Sequence, residues 1–262
     1  MNNIHSTTII HPSAQIGDNV TIGPYCIIGE NVIINDNNNI SNHVVIEKDT
    51  TLGTGNKIHS NAVLGGDPQD LGYKGEQSFL EIGNNNLIRE FVTLNRGSRE
   101  GNKTIIGNNN MFMAYSHVGH DCIVHNNVIC TNAVGISGHC IIEDKAIIGG
   151  IAGLHQFVRV GKMAMVGGLS KVNIDVPPFT LCDGHPLKVR AINTIGLRRN
   201  GVSKEAITAL SDAVRLVFHA RLSRRSAINL VKEQLYHYDE VKYFISFIEA
   251  VREGNSGRQE QS

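Results

Sequence analysis

The 262 residues carry 24 Lys and Arg against 24 Asp and Glu, a formal net charge of zero with neutral histidines. A chain with no global field has no general attraction for nucleic acid or an anionic membrane, so a charged partner must be met by a local patch. The length allows one large domain or two, 27 glycines suit a fold with many tight turns, and tryptophan is absent. The opening Met1-Asn2-Asn3-Ile4-His5 lacks the basic and apolar regions of a signal peptide, and no run reaches membrane-spanning length. Cysteines 26, 122, 130, 140 and 182 show no CxxC spacing, and their odd number fits a reducing compartment. The expectation is a cytoplasmic protein with no stable membrane insertion and no nucleic-acid partner.

From Ile4 an apolar residue recurs at every sixth position through Ile10, Ile16 and onward to Leu64. The frame resumes at Ile82, Ile88 and Leu94, and again from Ile106 to Val172; only Asp70, Glu76 and Glu100 break it. Neither a helix nor a plain strand has a period of six. Glycine often follows the apolar residue, and a small or β-branched residue stands four positions after it, as at Cys26, Ala62 and Ala146. The pattern reads as a triangular coil: each unit gives a short strand and a turn, and three units close a coil of eighteen residues. Coils then stack about 4.8 Å apart with the apolar residue inside. This predicts an all-β parallel β-helix over residues 1–178.

Two polar, glycine-rich stretches, 66–80 and 96–104, read as loops leaving the prism. The first gathers Asp70, Tyr73 and Lys74 and is expected to be functional, since loops on a rigid scaffold often are. The second reads as a tolerated insertion. Val176-Pro177-Pro178 ends the coil, because successive prolines remove ladder donors. A connector follows over 179–201, then a small α-helical domain over 202–254. Its first helix is capped by Ser203 and turns Ile207, Leu210, Val214 and Leu216-Val217 near one face. Further helices are expected over roughly 225–237 and 239–252, with a disordered polar tail over 255–262.

The most informative stretch is His117-Val118-Gly119-His120-Asp121. Steps of eighteen from His120 reach Gly138 and Gln156, whose neighbours are His139 and His155. Consecutive coils therefore stack these residues along one edge, about 5 Å apart. Two chemistries suit such a column. Three imidazoles could hold zinc, as in β-helix carbonic anhydrases. Alternatively, one imidazole is a general base for a sugar nucleophile attacking a thioester. His120 would be that base, with Asp121 beside it and a backbone N–H at Gly138 facing the oxyanion. A purely architectural solenoid would leave the column unexplained.

The chain resembles the acyl-carrier-protein-dependent UDP-N-acetylglucosamine O-acyltransferases of lipid A biosynthesis. The likeness runs from HPSAQIGDNVTIGPY through PQDLGYKGE, SHVGHDC, SGHCIIED, GLHQFVRVG and VPPF to NTIGLRRNG. It implies a left-handed coil and a homotrimer with active sites between neighbouring prisms. It also implies acyl carrier protein at the helical domain, and neither cofactor nor metal. Matched position by position, it makes His120 the base, Asp121 its partner and Gly138 the oxyanion donor. Asp70, His117, His139, Gln156 and Asn193 would hold the nucleotide sugar, with His155 beside them. Arg199 would meet a phosphate, and Gly168 would end the acyl groove. Arg198, Arg199, Lys204 and Arg215 are the expected contacts for an acidic carrier. Two positions depart from the pattern: Gly72 stands where many members carry lysine, and Asn200 where many carry arginine. The acceptor thus stays open between a 3-hydroxyl and a 3-amino sugar.

Overall fold

The computed structural model describes residues 1–253 and 258; the expected disorder of the tail therefore lies outside the described residues, apart from that one position. Twenty-six short strands, from Asn3–Ile4 to Lys171–Val172, wind into three parallel sheets that form the faces of a prism. The first face begins at Asn3–Ile4, the second at Ile9–Ile10 and the third at Gln15–Ile16. Their registers, Asn3↔Thr21, Ile9↔Ile27 and Gln15↔Ile33, each step by one coil of eighteen residues.

The period of six produces this shape because every repeat supplies the same three things. The apolar residue points inward: Ile22, Ile46, Leu64, Phe112 and Val166 are all buried. The small residue fills the space at the turn, as Cys26, Ala62, Cys122 and Ala146 do. The residue between them turns the corner with φ near +60°, often an asparagine such as Asn19, Asn37 or Asn109. Asparagine and aspartate adopt this left-handed conformation more readily than other side chains. Along the corner between the third and first faces, buried asparagines form a ladder. Asn38 Oδ1 accepts from Asn56 N at 2.8 Å, Asn56 Oδ1 from Asn86 N at 2.9 Å, and Asn86 Oδ1 from Asn110 N at 2.9 Å.

Both loops leave from one corner, between the second and third faces, on successive coils. Val63 pairs with Thr93, thirty residues on, and Thr93 with His117, twenty-four on. The excess over a plain coil is twelve and six residues, whole multiples of the repeat, so the frame survives both excursions. The loops are shorter than their polar sequences imply. Phe79–Ile82 and Lys103–Ile106 are already paired strands, and Gly66 ends the strand Val63–Gly66, so only 67–78 and 96–102 leave the prism. In the second loop the overshoot arises because Thr104, polar yet wholly buried, belongs to the coil.

The connector is more ordered than the double proline suggests. Thr180–Asp183 adds to the first face beside Met165–Val166 and turns back as the antiparallel strand Lys188–Ile192. This hairpin covers an edge that the coil would otherwise leave unpaired. Helix α1 (Thr194–Arg199) follows, then α2 (Lys204–Phe218), α3 (Arg224–Leu235) and α4 (Asp239–Glu253). Ser203 caps α2, its hydroxyl accepting from Ala206 N at 3.1 Å. The apolar faces of these helices share a core with Met163 of the prism and Phe179 of the connector, which docks the helical unit. No helix among the described residues is long and apolar enough to cross a membrane.

Candidate active site

The corner that releases both loops also carries the histidines. Two columns run along it. His120, Gly138 and Gln156 occupy one position of successive coils; Asp121, His139 and Phe157 occupy the next, with φ of 59°, 60° and 68°. Backbone bonds fix the spacing: His139 N donates to His120 O at 2.9 Å, and Phe157 N to Gly138 O at 3.1 Å. The His139 ring stacks on Phe157 with centroids 4.5 Å apart and meets the edge of His120 at 5.0 Å.

His120 Nδ1 lies 2.7 Å from Asp121 Oδ2, and both side chains are largely buried. Burial alone would raise the Asp121 pKa. Hydrogen bonds from His120, from the hydroxyl and backbone N–H of Ser98, and from Asn102 outweigh it and hold the carboxyl well below the usual range. The Ser98 hydroxyl donates to Oδ2 at 2.7 Å and Asn102 Nδ2 to Oδ1 at 2.9 Å. An ionised Asp121 accepts a hydrogen bond from Nδ1–H, leaving the Nε2 lone pair free toward the cleft; this tautomer follows from the hydrogen-bond network. Ser98 and Asn102 belong to the loop that the sequence marks as a mere insertion. That reading is corrected here: the loop supplies three donors to the carboxylate. Its composition gives no sign of this, because the contacts are made 23 and 19 residues away in the chain.

The loop is itself fastened to the earlier one. Arg96 is fully buried and donates to the Gly65 carbonyl, the Asp67 carboxylate and, at 3.3 Å, the Tyr73 hydroxyl. Farther out, Arg99 Nη2 approaches Asp70 Oδ2 at 3.5 Å, while Asp70 Oδ1 accepts from Gly72 N at 2.8 Å.

The cleft beside this corner, about 460 Å³, is lined by Gln69, His117, His120, Gly138 and Gln156 among others. Its floor on the second face is bare, because Gly135 and Gly153 stand where the strand below presents His117. His117 Nδ1 lies 2.7 Å from Thr93 Oγ1. Burial, then the neighbouring His120, depress the His117 pKa. Burial also depresses that of His139, with Asp121 opposing, His120 lowering, Asp70 opposing and Arg99 lowering in turn. Both rings are therefore neutral near pH 7. Among the described residues no acceptor takes the Gly138 N–H, which borders the cleft.

Not every expected residue reaches this cleft within one chain. His155 is exposed and lies beside Gln156, its Nδ1 3.3 Å from the Gln156 carbonyl, but does not line the cavity. Asn193 caps α1, accepting from Gly196 N and donating to Met163 O, each at 3.0 Å. Arg199 is exposed on the same helix. Gly168 sits on another corner, between the first and second faces, where Leu169 and not Gly168 carries the positive φ.

His120, Asp121 and His139 place ligand-type atoms within 4.8 Å of one another. Zinc between His120 Nδ1 and Asp121 Oδ2 would need about 2.0 Å to each. Their 2.7 Å separation is that of a hydrogen bond, and Asp121 already accepts from Ser98 and Asn102. The donor set fits proton transfer better than metal ligation.

A coil of hexapeptide repeats, with an aspartate-held histidine beside a glycine N–H that no acceptor takes among the described residues, fits an acyltransferase of the hexapeptide class. A profile described as bacterial transferase hexapeptide (six repeats) matches residues 3–36, and one described as UDP N-acetylglucosamine O-acyltransferase, domain 2, matches 175–256. The chain is 54% identical over 252 residues to the acyl-[acyl-carrier-protein]–UDP-N-acetylglucosamine O-acyltransferase of Aquifex aeolicus, covering 96% of this chain and 97% of that one. It is 46% identical over 255 residues to the enzyme of the same name from Thermodesulfovibrio yellowstonii, covering 97% and 99%. It matches the solved structure of LpxA from Acinetobacter baumannii with a TM-score of 0.91 at 43% identity, over 97% of this chain and 98% of that one. The chain belongs to the UDP-N-acetylglucosamine O-acyltransferase family and shares its left-handed β-helix.

Proposed function

We propose that this chain transfers a (3-hydroxy)acyl group from acyl carrier protein to the 3-position of UDP-N-acetylglucosamine, the first step of lipid A biosynthesis, with His120 as the base. The observation that carries the reading is His120, held by Asp121 at 2.7 Å with Nε2 toward the cleft and the free Gly138 N–H in the next coil. The sugar hydroxyl oxygen attacks the thioester carbonyl carbon while Nε2 removes its proton. The carbonyl oxygen becomes an oxyanion facing Gly138 N–H, and the ionised Asp121 stabilises the imidazolium. Collapse breaks the carbon–sulfur bond, and the departing thiolate takes the proton from His120. No step needs a metal or a cofactor.

A homotrimer suits this reading. Gly168, Asn193 and Arg199 lie away from the cleft of their own chain, and neighbouring prisms would bring a second copy of them to it. The exposed Arg198, Arg199 and Lys204 would meet the acidic carrier, with Arg215 nearby on α2 and paired to Asp212 at 3.2 Å. Such a reaction belongs in the cytoplasm, where acyl carriers are charged.

The test is mass spectrometry of products from a panel of acyl carriers offered UDP-N-acetylglucosamine or its 3-amino analogue. An O-acyl product from the hydroxyl acceptor is expected, with His120→Ala lowering turnover by about 10²–10⁴-fold in a folded protein. Acylation of the amine alone would overturn the acceptor, and wild-type turnover in His120→Ala would overturn the base.

A further inference from the structure

Arg99 does not line the cleft but lies beside it, close enough to act on His139, and the proposed reaction does not use it. Its guanidinium is 54% exposed and is held loosely, by Asp70 Oδ2 at 3.5 Å and by the Ser98 carbonyl at 3.3 Å from Nη1. Arg96, three residues earlier, is the opposite case: fully buried and closely bonded on several sides. Arg96 fastens the loops. An exposed pair at 3.5 Å adds little to stability, and most of the five donors of Arg99 have no partner among the described residues.

Position explains the difference. Ser98, next in the chain, binds the carboxylate that holds the base, and Gln69, beside Asp70, lines the cleft. A Cβ added to Gly72 would lie 3.0 Å from Arg99 Nη2 and 3.3 Å from Asp70 Oδ1. The guanidinium thus fills the volume that a side chain at position 72 would enter, where the sequence resemblance expects lysine.

We propose that Arg99 binds the sugar ring of the acceptor directly, paired with Asp70 so that a donor and an acceptor face the ring hydroxyls side by side. A sugar hydroxyl is both donor and acceptor, and this pair offers it both partners at once. The assignment rests on the reading of the chain as a UDP-N-acetylglucosamine acyltransferase.

Calorimetric titration of the full chain with UDP-N-acetylglucosamine and with UDP tests it. Arg99→Ala weakens the sugar nucleotide roughly tenfold or more, the scale of a hydrogen bond to a charged group, and leaves UDP affinity unchanged. The same loss persists when Arg99→Ala is introduced into Asp70→Ala. Unchanged affinity for the sugar nucleotide overturns the proposal. Equal weakening of UDP and UDP-N-acetylglucosamine overturns it in favour of a diphosphate contact. A loss that vanishes in the Asp70→Ala background overturns it too, reducing Arg99 to a positioner of Asp70. A wild-type chain that binds neither ligand overturns the functional reading itself, a result separate from any of these.

Discussion

Gly138 is where the smallest chemical change meets the proposed chemistry most directly. An ideal Cβ at this position would lie 2.5 Å from His120 Cε1, 2.6 Å from Nε2 and 3.0 Å from Nδ1, over the plane of the ring. Carbon atoms in ordinary contact sit about 3.5–4.0 Å apart, so in Gly138→Ala the imidazole must retreat by about 1 Å. Asp121 cannot follow it, because Ser98 and Asn102 hold the carboxylate. A retreat of that size along the ring normal lengthens the 2.7 Å bond from Nδ1 only to about 2.9 Å, but it carries Nε2 about 1 Å from its place at the cleft. A displacement of that size costs about 10²-fold in rate, or about 2.7 kcal/mol at 1.36 kcal/mol per tenfold. Strain in the backbone is not the cause, since Gly138 has no positive φ. The assay is steady-state turnover at saturating acyl carrier and acceptor, alongside thermal unfolding. The melting temperature should stay near that of the parent while turnover falls. A folded Gly138→Ala protein within about twofold of parental turnover would refute the geometry on which the base assignment stands.

Ser98→Ala should lower turnover about tenfold with little change in either KM, while Ser98→Thr keeps most activity; parental kinetics in Ser98→Ala would return the loop to a passive insertion. Gly168→Met should cut kcat/KM for long acyl donors and spare short ones, since each excluded methylene is worth about 0.8 kcal/mol. The added Cβ meets the Gly150 carbonyl at 3.1 Å, a contact a small backbone shift can relieve, so equal losses on all donors in a folded protein would remove Gly168 from the groove. Stability should fall on acidification below about pH 6.5. His117 and His139 have folded pKa values lowered from 6.5, chiefly by burial, so the unfolded chain binds more protons in the window just below that value. Asp121, already ionised in both states there, adds its own loss only below its ordinary 3.8. Melting temperature against pH checks this, and His117→Gln should flatten the slope between pH 5 and 6.5; an unaltered slope would exclude His117 as a contributor.

The prism and the histidine column were legible because both depend on arithmetic along the chain. Once Ile4, Ile10 and Ile16 set the step, Gly138 and Gln156 follow from His120 by counting. Ser98 and Asn102 were not legible for the complementary reason. A loop outside the period has no register, and only its path in space brings it to Asp121. Asn193 shows a third situation, in which the residue type suits a sugar contact and equally suits a helix cap. In the single chain it is a cap, bonded on both sides of its amide. The hairpin Thr180–Asp183 and Lys188–Ile192 was hidden by the two prolines before it, which stop the coil without stopping strand pairing on the first face.

The buried asparagine ladder bears on how this scaffold changes through evolution. Its links from Asn56 to Asn86 and from Asn86 to Asn110 bridge the two coils that release the loops, from a corner the loops never touch. Coil height is therefore set on one edge while sequence varies on another. Substitutions within 67–78, and within 96–102 outside Arg96, Ser98 and Asn102, can alter what the cleft accepts without moving His120 relative to Gly138. The fold separates a ruler from a workbench: drift in acceptor preference is open to loop mutations, whereas loss of a ladder asparagine would leave a buried backbone N–H of the next coil without its acceptor.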